Sequence, residues 1–192
     1  MKGLQQAGAI ILLALSLILQ SPIVSASELS EAERQIPMVY RLIGIEAGVP
    51  YTILYAIALA ETGYTAPSNG QYRPWPWTLN LNGDPHRFAN RIDALALLEE
   101  RIHSGKRNID VGLAQINYQY NGSMFPSLAH ALDPEVNLRL ATYVLHRELE
   151  RCDKPDWWCA VGRYHSPGTS DRQRANAERY RQRVRAFWEQ LQ

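Results

Sequence analysis

The uncharged stretch "YTILYAIALA", Tyr51 to Ala60, constrains this chain more than any other part of it. Apolar residues fall on every helical face, and a helix apolar all round belongs inside a globular core. Pro50 suits the first turn of such a helix, and Gly63 suits its end. The end also carries Glu61, in "ALAETGY". Ionised carboxylates are rarely buried without a partner, so the rest of the chain must account for this one. Leu54, Ile57 and Ala58 lie on its own helical face, one or two turns back. Apolar packing beside a carboxyl raises its pKa, and a carboxylic acid kept neutral at about pH 7 can protonate a leaving oxygen. The plain alternative is a glutamate that points outward from a fraying helix end.

With 192 residues the chain is long enough for one domain with a sizeable core. Its start lies outside that core. Lys2 precedes the apolar run "AGAIILLALSLIL" and then "SPIVSAS", where Val24-Ser25-Ala26 offers small residues for cleavage before Ser27. That order is the one of a secretory signal peptide, residues 1–26, and implies export. A membrane span needs about 20 apolar residues, and this run is short for one. A retained anchor is the alternative, and a lipoprotein is excluded because no cysteine sits near the cleavage site. Losing Lys2 from the 20 basic residues balances them against the 19 acidic ones, which argues against nucleic acid as a partner. Cys152 and Cys159, in "CDKPDWWC", are the chain's 2 cysteines. In an exported protein they read as a disulfide closing a short loop. With no CxxC, no HExxH and scattered histidines, no metal or other cofactor is expected.

Residues 27–36, with "ELSEAERQ", read as a polar, loosely ordered lead-in, and the domain spans 37–192. Val39, Tyr40, Ile43 and Ala47 recur at helical spacing until "AGVP" stops them. After the apolar helix comes "TAPSNGQYRPWPWTLNLNGDPHRF", where "WTLNL" alternates and "NGD" signals a turn, predicting a short β-hairpin or extended flap. Asn90 caps a helix with Ile92, Leu95, Leu98 and Ile102 on one side, closed by Gly105. "KRNIDVGLAQINYQY" passes from extended to helical, Asp133-Pro134 starts another helix, and Asp156 can cap "WWCAVGRY". In the Arg-rich end, Tyr180, Val184, Phe187, Trp188 and Leu191 share one stripe, which reads as a docked helix with a solvated basic face. The expectation is a single mainly α domain of about six or seven helices with one small β element.

Two further stretches carry chemistry. In "DVGLAQIN", Asp110 to Asn117, Gly112 permits a tight turn, and Gln115 offers both donor and acceptor to a sugar. In "AVGRYHSP", Tyr164 follows a short apolar helix and could point its hydroxyl inward, with His165 behind it. Taken in order, "ALAETG", "GLAQIN" and a tyrosine ending a short helix resemble the three signature motifs of the lysozyme-like soluble lytic transglycosylases. The resemblance spans residues 37–185 and implies the α+β lysozyme-like fold. It makes Glu61 the single catalytic acid/base. Glu61 would protonate the glycosidic oxygen between N-acetylmuramic acid and N-acetylglucosamine, then take the proton of the muramic C6 hydroxyl, giving a 1,6-anhydro product. It makes Thr62, Ala114, Gln115, Asn117, Tyr164 and His165 the substrate-binding set, with Tyr164 reaching the glutamate or the sugar. Thr62 stands in place of the usual serine, Ala114 in place of the common methionine, and His165 in place of asparagine. The implied partner is the peptidoglycan glycan strand, met in the periplasm by a monomer. The insertion "RPWPWTLNLNG" and the run "NIDVGLAQIN" look most like members that serve conjugation, secretion or pilus machinery. Trp75 and Trp77 could stack on sugar faces or anchor the flap. Two rival readings stand beside this one. A hydrolase on the same fold would use Asp110 or Asp93 to hold water, and a peptidoglycan-binding assembly factor would retain the fold without the activity.

Overall fold

The computed structural model describes residues 30–66 and 70–192. The signal peptide expected over residues 1–26 lies outside them. The apolar stretch becomes α3 (Tyr51–Thr62), with every side chain from Ile53 to Leu59 buried. It runs through the middle of the helical layer. On one side lies α2 (Met38–Ala47), ended by Gly48 in the left-handed conformation. On the other lies the long C-terminal helix α9 (Asp171–Glu189). Between them α7 (Pro134–Leu149) and α8 (Trp157–His165) complete the layer, α7 on α2 and α8 on both α7 and α9. Asp133 caps α7 with Pro134 in its first turn, and Asp156 caps α8 by accepting from Trp158 and Cys159 N–H groups. The docked stripe of α9 is real: Tyr180 and Val184 are buried, as is Leu191 just past the helix end, with Phe187 and Trp188 packed partly against the same core.

The β element is larger than one hairpin. Strands β1 (Gly63–Thr65) and β2 (Tyr72–Pro74) pair antiparallel beside the end of α3. A second antiparallel sheet runs β4–β3–β5–β6, with β3 (Thr78–Leu81), β4 (Asp84–Arg87), β5 (Ile109–Val111) and β6 (Ile116–Asn117). The expected hairpin is β3–β4, turned by Asn82 and Gly83 at φ 56° and 97°, the left-handed pair that a tight hairpin needs. Pro85 has no N–H to offer a ladder, and β4 accordingly sits at the sheet's edge. The extra strands escaped the sequence reading because they are two or three residues long and carry no alternation of their own.

Six helices longer than a turn match the expected number: α2, α3, α7, α8, α9 and α4 (Arg91–His103). Single-turn helices are α1 (Glu31–Arg34), α5 (Tyr118–Asn121) and α6 (Leu128–Ala131). On α4, Asn90 caps as expected, but Ile92 is 78% exposed and the buried contacts come from Ala94 and Leu98. The helix meets the core along a narrower stripe than its apolar residues allow. The lead-in is likewise not loose from Ser30 onward. Ser30 and Glu33 form a reciprocal capping box around α1, the Tyr51 hydroxyl donates to Glu33 at 2.8 Å, and Ile36 is fully buried. The sequence "SEAE" carried that signal. Cys152 and Cys159 are joined in a disulfide across the α7–α8 connection.

Candidate active site

Glu61 occupies the last turn of α3. The helix must end there with its carbonyls satisfied. Tyr72 brings its hydroxyl to the Leu59 carbonyl at 3.4 Å, and the Trp75 N–H donates to the Thr62 carbonyl at 3.1 Å. Only glycine allows this closure, because a Cβ at Gly63 would collide with the Tyr72 hydroxyl and the Leu59 carbonyl. The carboxylate of Glu61 then turns toward α9, where the Tyr180 hydroxyl donates to its Oε1 at 2.6 Å.

The second part of the site is the turn between β5 and β6, held from three helices at once. From α3, Thr62 donates its hydroxyl to the Leu113 carbonyl at 2.8 Å, with the Ala58 carbonyl 3.1 Å away. From α7, the Asn137 amide donates to the Val111 and Ala131 carbonyls and accepts from the Ala114 N–H. From α8, the Tyr164 hydroxyl donates to the Ala114 carbonyl at 2.7 Å. Gly112 adopts φ 79°, and a Cβ on it would collide with the Asn137 amide. This pinning holds Gln115 at φ 48°, costly for a residue with a Cβ. Its side chain folds back, donating to the Gly112 carbonyl at 2.8 Å and reaching the Thr78 carbonyl at 3.2 Å.

Between the turn and α3 lies a cleft of about 390 Å³ that Glu61, Asp110, Gln115, Asn117, Tyr164 and His165 all line. Asn80, Tyr120 and Arg147 are among the other residues that line it. Burial pushes the pKa of Glu61 up to about 7, against the opposing pull of the Tyr180 hydrogen bond and the positive charge of Arg183; Asp110 adds a further upward push. The negative end of the α3 dipole acts in the same direction as burial. Asp110 is also raised by burial, and the Asn117 amide, donating at 2.8 Å, works against that rise. Burial and the charge of Glu61 hold both Tyr164 and Tyr180 well above the ordinary phenol value, so both stay protonated donors. His165 stacks flat on Tyr180, with centroids 4.5 Å apart, and burial followed by the charge of Arg183 lowers its pKa. The site is therefore an acid poised near neutrality, one neutral phenol on it, and a rim of amides.

Five of the seven residues singled out in the sequence meet in this cleft: Glu61, Gln115, Asn117, Tyr164 and His165. Thr62 and Ala114 do not. Both are fully buried, so neither side chain can touch a ligand; Thr62 instead ties α3 to the turn, and Ala114 gives the turn room to pack. Tyr164 lines the cleft, but its hydroxyl is spent on the turn and the phenol on Glu61 is that of Tyr180. The sequence showed Tyr180 only as a member of an apolar stripe, and Asn137 as one polar residue in a helix. A tyrosine within a buried stripe needs a partner for its hydroxyl, which was the available signal. Asp93 is exposed at the first turn of α4 and lies outside the cleft. Trp75 and Trp77 also lie outside it. Trp75 donates its indole N–H to the Phe88 carbonyl at 2.7 Å and packs edge-on against Tyr64 and Trp77, which is the work of an anchor. Among the described residues no group of histidine, cysteine and carboxylate side chains is arranged to hold a metal.

A family model described as the transglycosylase SLT domain matches residues 44–187, from within α2 almost to the end of α9. The matched span contains Glu61, the β5–β6 turn, Tyr164 and Tyr180 alike. No curated protein and no solved structure matches the chain.

Proposed function

The chain belongs to the transglycosylase SLT domain family, and from that premise we propose that it is an exported lytic transglycosylase in which Glu61 is the single acid/base. The observation that carries this reading is the placement of Glu61, at the end of α3 and on the cleft wall, with the Tyr180 hydroxyl 2.6 Å from its carboxylate. A carboxyl whose pKa lies at about 7 is part protonated and part ionised at neutral pH. One group can then serve both halves of the reaction. In the first half, Glu61 gives its proton to the oxygen joining N-acetylmuramic acid to N-acetylglucosamine, and the bond from that oxygen to muramic C1 breaks. In the second, the Glu61 carboxylate takes the proton of the muramic C6 hydroxyl while that oxygen closes on C1. The ring product is a 1,6-anhydro sugar, Glu61 regains its proton, and no water is consumed. Tyr180 holds the carboxylate in one orientation through both steps. Gln115 keeps its amide oxygen and Asn80 its amide NH2 for sugar hydroxyl and acetamido groups, while the Asn117 NH2 is held by Asn108 and Asp110.

Asp110 keeps a second reading alive, because it lines the same cleft as Glu61. In paired-carboxylate glycosidases a second carboxylate activates water or attacks the sugar. Here the Asn117 amide donates to Asp110 Oδ1 at 2.8 Å, so that oxygen is already engaged and is not turned to a water in the cleft. Digestion of purified sacculi separates the two, with the products weighed by mass spectrometry. Anhydro-muropeptides are expected; reducing ends carrying ¹⁸O from labelled water would make the protein a hydrolase. Glu61→Gln is expected to lower release from sacculi by about 10³-fold, and unchanged release would remove Glu61 from the chemistry. The disulfide of Cys152 and Cys159 fits an oxidising compartment outside the cytoplasm. We place the activity in the periplasm, in local opening of the wall for an envelope-spanning assembly, which loss of that assembly's function on deleting the gene would test.

A further inference from the structure

A second groove, of about 400 Å³, adjoins the cleft and is lined by His165, Asn176, Arg179, Tyr180 and Arg183. The two spaces meet at His165. His165 lines both, and Tyr180 lines the groove with its ring while its hydroxyl reaches Glu61. The groove is cationic because Arg179 and Arg183 line it; like Arg172 and Arg185, and unlike the other α9 arginines, they have no paired acid. Arg174 pairs with Asp171 and Arg181 with Glu178, each one turn away on the same helix. Arg179 and Arg183 have no such acid. Among the described residues no carboxylate lies within ion-pair distance of either. Arg179 donates to the Asn176 amide oxygen, and Arg183 lies over the Tyr180 ring, 5.1 Å from its centroid. Like charges four residues apart on a helix repel. Two exposed, unpaired guanidinium groups at that spacing beside an active-site cleft are a site in want of an anion.

We propose that this groove binds the carboxylates of the peptide stem carried by the muramoyl residue being cleaved, with Arg179 as its principal ligand. The inference rests on the reading of the cleft as a peptidoglycan site. The sugars of the glycan strand are uncharged, whereas the stem attached to muramic O3 carries carboxylates. The muramoyl residue whose C1 meets Glu61 must hang its stem beside the cleft, and the groove that continues past His165 presents two arginines, Arg179 and Arg183. Arginine suits the task because its planar fork takes a carboxylate through two parallel hydrogen bonds. Asn176, already bonded to Arg179, aims that fork. The enzyme thereby prefers glycan that still carries peptide over glycan stripped of it.

The test compares kcat/KM on stem-bearing glycan strands with kcat/KM on the same strands after an amidase has removed the stems. The wild type is expected to favour the stem-bearing strands. Arg179→Gln should lower that preference about tenfold, and Arg179→Lys, which keeps charge but not the fork, about threefold. Arg183 also acts on Glu61, so Arg179 carries the test. Arg185→Gln serves as control, since Arg185 lies on α9 over the Trp158 ring and outside the groove. An unchanged preference in Arg179→Gln, or an equal loss in Arg185→Gln, would overturn the stem assignment while the cleft keeps its function. A wild type that cuts neither strand would overturn the reading of the cleft and this inference with it.

Discussion

Two glutamates are drawn into this protein, Glu148 fully and Glu61 partly, and their surroundings could hardly differ more. Glu148, on the buried face of α7, is 2% exposed and is met by three guanidinium groups, Arg151 at 2.6 Å and Arg147 and Arg163 at 3.3 Å. Glu61, at the end of α3, is met by one phenol at 2.6 Å, with Arg183 acting on it from further off. The first is a charge that the fold has surrounded with opposite charge. The second is a carboxyl from which the fold has withheld it. At Glu61 desolvation outweighs the Tyr180 hydrogen bond and the distant charge of Arg183, and the carboxyl's pKa rises. The arginines are not scarce. Among the described residues α1, α2, α4, α7, α8 and α9 all carry them, and the helix that carries Glu61 has none.

The largest effect should come from the saturated partner of this pair. Glu148→Gln keeps the shape of the side chain and removes its charge, leaving Arg147 and Arg163 half-buried without their counterion. Breaking a buried ion pair from one side costs about 3–5 kcal/mol, and the partial exposure of the arginines places this variant at the lower end. Urea denaturation should show a lower midpoint with an unchanged slope. The pH profile of activity should stay where it is. A stable Glu148→Gln variant would mean that the cluster is decorative and that the contrast with Glu61 concerns geometry alone.

The opposite sign is expected at the other site. The pKa of Glu61 stands at about 7 in the fold against an ordinary 4.5, so between these values the folded state holds a proton that the unfolded state has released. A group raised in this way favours folding at low pH, and that support is lost as pH rises toward about 7. Gln does not titrate. Glu61→Gln should thus match the wild type in stability at about pH 4 and exceed it by on the order of 3 kcal/mol at about pH 8. Thermal melts across that range check it. A difference that stays flat with pH would make Glu61 an ordinary solvated carboxylate.

The contrast between the two glutamates was half legible in the sequence. An uncharged helix with one carboxylate at its end is a local pattern, and α3 with Glu61 could be read from it. So could Gln115 and Tyr164, whose motifs lie close along the chain, and the caps Asn90, Asp133 and Asp156. What the sequence hid depends on long closures. Tyr180 meets Glu61 across 119 residues, and Thr62 meets Leu113 across 51. Both look like packing residues until the helices are docked. The three arginines around Glu148 were equally visible as letters, but nothing local distinguishes an arginine turned inward from one on a solvated face. The same is true of Arg179 and Arg183 within an Arg-rich helix. Their meaning lies in which acids are missing nearby, and that is a tertiary fact.

The finest test of the comparison is the single phenol. If Tyr180 merely filled the core, Tyr180→Phe would cost a little stability and leave the chemistry alone. Its hydroxyl instead donates to the Glu61 carboxylate, a bond that favours the ionised form and so pulls the pKa down against burial. Removing it should raise that pKa further and move the Glu61-dependent limb of the pH–rate profile upward by about one unit, with a fall of about tenfold at the former optimum. Tyr164→Phe supplies the contrast within the same cleft. Its hydroxyl is bonded to the Ala114 carbonyl and not to the acid, so its loss should cost about 1 kcal/mol of stability through the turn and leave the limb in place. Identical profiles for the two variants would assign the poise of Glu61 to burial alone; separated profiles would assign the last unit of it to one hydrogen bond.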